Sequence, residues 1–445
     1  MGQDNRLLRV LGLGFGLAAV IGAVVGQGIL RAPGVVADAT GSPEVIIGLW
    51  IAGALIAMVS ALPYAELGAA IPRAGGQFAF IHRALGDRMA LAAAFATMFL
   101  QVTTIAMLGF VTGEFLVRLG VGGGRLGPVE MGLVVTVLFA LLNASGTRSS
   151  GASQIAFSTL KGLVLVGLIV ALFAGEPAEP VETTPIVRSG LLAMGTAILV
   201  INNTYNGWWE VVYYGEEMRD PGRQVPRALF GGIISVAVIY VLLNLAMLHV
   251  LTPDQMAGSN LVAADAAGMV FGERGDYFLT LFGVLSVGAI TNLQIMSAAR
   301  AHYAMARARI LPEYFAKVDK RGTPLRAMAL ATAIGASFIL TGTYQALSSM
   351  TVSIGQGLIV LVMLSVIALR RKEPDLHRPF RMPMYPASIV FALAMASSLL
   401  IVFIVQDPLY SLSGFIVVAV LWLLFRHVLK RRVVLAAIDD VEGGA

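Results

Sequence analysis

The 445-residue chain contains no cysteine, which excludes disulfides, thiolate nucleophiles and cysteine-held metals. Charge is scarce as well: 13% of residues are charged, where a soluble domain carries about a quarter. The five histidines (His82, His249, His302, His377, His427) are scattered without metal-like spacing. No intramembrane nucleophile or metal set stands out, so neither an enzyme nor a cofactor is expected. A receptor would normally add a soluble signalling domain, and no stretch here reads as one.

Apolar length is what the chain has instead. Hydrophobic residues make up 57% of it, and the mean hydropathy is +0.82. Apolar runs recur that can each cross a hydrocarbon core of about 30 Å. The N-terminal run carries glycines in place of a short apolar core and a small-residue cleavage site, so it is not a cleavable signal peptide. Twelve spans are expected, near 8–31, 43–70, 89–117, 128–146, 152–174, 189–217, 228–251, 277–305, 325–342, 345–369, 384–406 and 409–429. The fold class is thus an all-α polytopic membrane protein forming one transmembrane domain over 1–430, with a cytoplasmic tail at 431–445.

With the N-terminus in the cytoplasm, only Arg31, Arg118, Arg125, Arg188 and Arg274 face outside, and Lys161 lies within a span; the rest of the 31 lysines and arginines fall at cytoplasmic ends. This asymmetry is the positive-inside rule. It accounts for the net charge of +5 without a nucleic-acid partner. A multi-pass protein of a prokaryotic cytoplasmic membrane, with both termini inside, is expected.

Two spans are irregular. The first contains Gly22, Gly26 and Gly28 within seven residues, and each weakens a helix by roughly 1 kcal/mol relative to alanine. The sixth contains Asn202-Asn203-Thr204-Tyr205-Asn206-Gly207, a run of poor helix formers. Non-helical backbone at membrane depth survives only where it lines a polar cavity. Breaks placed five spans apart suggest two five-helix repeats of opposite topology, 8–174 and 189–369, each led by a broken helix.

Such breaks can seat a zwitterion. Free N–H groups of Gly26, Gln27, Gly28 and Ile29 would meet a carboxylate at the start of the outer half-helix. Free carbonyls near Asn203 would meet an ammonium group. Among side chains, Gln27, Asn203, Thr204, Asn206, Asn292 and Gln294 are polar candidates for selectivity, although amides in spans also serve as helix–helix hydrogen bonds. Tyr205, Trp208 and Trp209 would supply aromatic walls or a lid.

Lys161 lies near the middle of the fifth span, where a lysine costs about 2.5–3.5 kcal/mol on insertion scales and is usually retained for function. Its ammonium can take the place of a sodium ion, bonding carbonyls of the first broken helix and a hydroxyl from the eighth span, with Ser297 as candidate donor. Protons are the candidate coupling ion. Glu210 follows the sixth-span break by one turn; an inner gate, a cation partner and a vestibule-facing acid all remain open. Glu216 and Glu217 are expected in an interfacial network with Arg219, Arg223 and Arg227.

Longer motifs carry a family likeness. VGQGIL from Val25, ALPYAELGAAIPRAGGQFAFIHRALG from Ala61, YNGWWEVVYYGEEMRDPGRQVPRAL from Tyr205, SAARAHYAMARARILP from Ser297 and LRRKEPDLHRPFRMPMYP from Leu369 resemble amino acid–polyamine–organocation transporters of the sodium-independent amino acid permease type. The resemblance implies a LeuT-type 5+5 inverted repeat with two extra C-terminal helices at 384–429, and alternating access. It places the substrate seat on the first and sixth spans, and it matches Lys161 to a lysine that replaces a sodium site. Departures are Gln27 where a small residue is common, Trp209 ahead of the acid at Glu210, and Ala299 where a hydroxyl often precedes the arginine (here Arg300). Lack of cysteine excludes a disulfide-linked accessory subunit. An amino acid is the expected substrate, with a polyamine or other organocation as the alternative.

Overall fold

A computed structural model describes residues 7–26, 28–178, 191–259, 261–272, 274–341 and 344–429. Gln27 and the tail after 429 lie outside these residues. The secondary structure is helical, and no strand occurs among the described residues beyond an isolated bridge between Leu11 and Met218.

The helices are α1 (Leu13–Val24), α2 (Gly28–Thr40), α3 (Pro43–Ala70), α4 (Gln77–Leu85), α5 (Asp87–Arg118), α6 (Pro128–Ala144), α7 (Thr147–Phe173) and α8 (Leu191–Thr204). A 3-10 helix at Trp208–Glu217 follows. Then come α9 (Pro221–Val250), α10 (Pro253–Ala257), α11 (Val262–Phe271), α12 (Arg274–Arg307), α13 (Leu325–Ile339), α14 (Tyr344–Lys372), α15 (Ala387–Gln406) and α16 (Pro408–Leu429).

Eight of these are long and apolar enough to cross a bilayer, and α1 with α2 makes a ninth as a pair bent by 50°. Helices α6 and α13 are apolar but shorter. The first span starts later than expected, at Leu13, because Leu11 is drawn into backbone pairing with Met218. The stretch 252–276, expected only as an external connection, folds into α10 and α11. The loop after α3 likewise holds the short helix α4.

Packing around the two irregular spans fixes the architecture. Helix α1 lies against α7, α9, α12 and the 3-10 helix, while α2 lies against α8. Glycines permit this closeness: a Cβ on Gly232 would fall 2.4 Å from Val20, and one on Gly53 would fall 2.3 Å from Ile201. By contrast α15 and α16 sit at the edge, with Val405, Leu409 and Leu424 largely exposed, as suits helices facing lipid.

Candidate functional site

The first break falls at Val25–Gly26. Val25 still donates its N–H to Ile21, but its ψ of 101° turns the chain out of the helix. Gly22, expected within the break, is part of α1. Three helices supply the donors that the last α1 carbonyls lack. Lys161 Nζ of α7 donates to the Gly22 and Val25 oxygens at 2.9 and 2.5 Å, and Ser286 of α12 donates to Val25 at 3.1 Å. The Tyr240 hydroxyl of α9 is 3.0 Å from the Val24 carbonyl.

The second break begins after Thr204. Tyr205 and Asn206 donate their N–H groups back to Ile201 and Asn203, and Gly207 turns the chain with φ +107°, a conformation that favours glycine. The chain then tightens into a 3-10 helix. Free carbonyls expected near Asn203 are partly taken: Asn203 accepts from Asn206, and Thr204 lies 3.3 Å from the Tyr240 hydroxyl. Tyr240 therefore stands between the carbonyl ends of α1 and α8. Sequence reading missed it, since a lone tyrosine in an apolar helix looks like any aromatic packing residue.

The two breaks touch. A Cβ on Gly207 would lie 3.0 Å from the Ala23 oxygen, and one on Gly28 would lie 3.2 Å from the Thr204 hydroxyl. Gly26 faces Ile290, and Ile29 is fully buried at the start of α2. Tyr205 donates to the Trp50 carbonyl and packs with Trp50 and Tyr240, ring centroids 5.1–6.0 Å apart. Trp208 stacks edge-on against Tyr64 and Trp209. Asn203 is exposed. Asn206, with Asn202 and Trp208, lines a cleft of about 20 Å³, room for a water, against Ser60 and Gln356.

Other sequence candidates have structural partners. Gln294 donates to Gln101 of α5, and Asn292 links Asn143 of α6 to Gln154 of α7. Ser297 does not serve Lys161. Its hydroxyl bonds the Leu293 carbonyl and lies 2.9 Å from the Tyr214 hydroxyl. Eleven helical residues separate it from Ser286, roughly 16 Å along the axis. The eighth-span hydroxyl that shares a carbonyl with Lys161 is therefore Ser286.

Beside Ser297 lies Glu210, buried, with its Oε2 unpartnered and Tyr64, Tyr213 and Tyr214 nearby. Glu217 and Glu216 pair not with Arg219, Arg223 and Arg227 but with Arg300 and Arg307 of α12, each at 2.8 Å. The three expected arginines sit past the end of the 3-10 helix and point outward. The Arg300–Glu217 pair is fully buried and shares the Thr147 hydroxyl. Leu11 completes the closure, donating to Glu217 and accepting from Arg219 at 3.0 Å.

A family model described as amino acid permease matches residues 16–425. The serine/threonine exchanger SteT of Bacillus subtilis (strain 168) is 26% identical over 88% of this chain and 90% of its own length. The Asc-type amino acid transporter 1 of Mus musculus is 27% identical, covering 93% of this chain and 79% of its own. The large neutral amino acids transporter small subunit 2 of Homo sapiens is also 27% identical, over 85% and 73% respectively.

Proposed function

Because this chain belongs to the amino acid permease family, whose relatives are transporters and not enzymes, we propose that it moves an α-amino acid with a neutral or polar side chain by sodium-independent alternating access, as an exchanger or with protons. The observation that carries this reading is the meeting of the two breaks at one place in the bundle, Gly207 against Ala23 and Gly28 against Thr204. The amides that open α2, including Gly28 and Ile29, suit a carboxylate, and the carbonyl end of α8 suits an ammonium. The contact between the breaks represents a closed state, and separation of α2 from α8 admits the zwitterion.

Lys161 supports sodium independence. Its amino group bonds carbonyls at the first break, so a fixed side chain fills the place that a bound cation would otherwise take. We place α1 to α14 in the two inverted repeats of a LeuT-type fold, 8–174 and 189–369, with α15 and α16 as the additional pair. The protein is taken to span the cytoplasmic membrane twelve times with both termini inside, in keeping with the positive-inside pattern.

A second reading, transport of a polyamine or other organocation, draws on the unpartnered oxygen of Glu210, which could receive a second cationic group. Counterflow in proteoliposomes tests both, using labelled serine, alanine, leucine and putrescine with and without sodium. Exchange of an amino acid in sodium-free buffer is expected. Counterflow of putrescine alone would overturn the amino acid assignment, and an absolute need for sodium would overturn the role of Lys161.

A further inference from the structure

At the basic end of the bundle, where α9 begins, a groove of about 460 Å³ opens between the first turns of α9 and the segment Pro379–Phe380. Its rim carries Arg223 and Arg227, which are exposed and form no ion pair among the described residues. Asp220, the nearest acid in sequence, is turned to the helix terminus, where it accepts the N–H of Arg223. The groove floor is aromatic: Phe230 and Phe380 lie 5.5 Å apart, centroid to centroid. Gly231 leaves the floor open down to Leu17 of α1, which a Cβ there would meet at 3.0 Å.

Below the arginines the same face of α9 changes character. Residues 223, 227, 231, 234, 238, 242 and 245 follow one another at helical spacing and form a single stripe. Ile234, Val238, Leu242 and Leu245 on that stripe are 40–53% exposed. Two guanidinium groups thus sit above an aromatic notch, and the notch sits above a strip of bare aliphatic side chains running toward the bilayer centre. A phosphodiester headgroup with an acyl chain beneath it has this order of polarity. Arginines four residues apart on a helix lie close enough to share one phosphate.

We propose that the α9 stripe is a binding site for one anionic phospholipid, the phosphate on Arg223 and Arg227, the glycerol region over Phe230 and Phe380, and a chain along Ile234 and Val238. A neutral lipid lacks the net charge to prefer the rim, and a free phosphate leaves the aliphatic strip uncovered. Through Gly231 the bound lipid also rests on Leu17, in the inner half of the first broken span, so occupancy would bear on the helix that must move during transport.

Native mass spectrometry of the detergent-purified full-length protein, titrated with phosphatidylglycerol, phosphatidylcholine or glycerol 3-phosphate, tests this. Wild type is expected to retain phosphatidylglycerol in preference to the other two. R223Q/R227Q is expected to lose roughly thirtyfold in apparent affinity for it, the attraction of two juxtamembrane cations being removed together. R223K/R227K should keep most of the affinity. K317Q/K320Q removes the same charge from exposed residues elsewhere at this end and should bind as wild type does. Equal retention of phosphatidylcholine, equal retention of glycerol 3-phosphate, an equal loss in K317Q/K320Q, or a dimer dispersed by R223Q/R227Q would each overturn the proposal.

Discussion

The hydroxyl of Tyr240 lies 3.0 Å from the carbonyl oxygen of Val24, the last residue of α1. It is also 3.3 Å from the carbonyl of Thr204, the last residue of α8. One proton is thereby available to two helix ends, and it can serve only one of them fully at a time. That arrangement ties the ends of α1 and α8 to each other and to α9, at the point where the proposed transport cycle has them part.

Tyr240→Phe keeps the ring packing against Trp50 and Tyr205 and removes only this donor. The expected loss of stability is modest, about 0.6–1.7 kcal/mol for an interhelical hydrogen bond in a membrane protein. Counterflow should be altered more than the thermal midpoint in detergent suggests. A variant with wild-type exchange and wild-type midpoint would show that the hydroxyl is incidental.

Gly22 is required for contact, not for flexibility. A Cβ there would stand 2.5 Å from both Gln154 Nε2 and Ser158 Oγ, and Ser158 is held by its bond to the Ala18 carbonyl. Gly22→Ala is expected to push α1 off α7 at a cost of about 1–3 kcal/mol. Gly14→Ala on the same helix meets nothing within 4 Å and should be neutral or slightly stabilising. Thermal midpoints of the two variants check the contrast, and equal midpoints would contradict it.

Lys161→Met leaves the Gly22 carbonyl without its donor and Val25 dependent on Ser286 alone. Charge-assisted hydrogen bonds contribute about 1.5–3 kcal/mol each, so exchange is expected to fall by at least about tenfold. Lys161→Ala with an unchanged rate and unchanged dependence on external pH would end the coupling role proposed for this residue.

The Glu217–Arg300 pair should behave as a buried ion pair does. Glu217→Gln strands a buried guanidinium and is expected to cost about 3–5 kcal/mol, whereas the double replacement E217L/R300M should recover most of that loss. Unfolding of the purified variants measures this. If the double variant is as unstable as the single one, the pair's value lies in more than charge compensation.

The sequence made much of the fold legible, for a reason rooted in the solvent. A helix in lipid must be long and apolar, so spans such as α3, α5 and α9 are visible as runs without reference to any neighbour. Breaks are legible too, because glycine and asparagine runs weaken helices locally. Polar contacts were not. Ser286 and Ser297 look alike along α12, and only the packing of α12 against α1 and the 3-10 helix sends one to the Val25 carbonyl and the other to Tyr214.

The chain's composition and glycine placement by themselves determined a helical membrane protein with helix interruptions near Gly26 and Gly207, since hydropathy and helix propensity act over neighbouring residues. Which carbonyl each interruption exposes, which tyrosine or lysine meets it, and that Glu217 chooses Arg300 over the nearby Arg219 were decided only in three dimensions. Those partners lie scores of residues away along the chain, and their meeting depends on how whole helices stack.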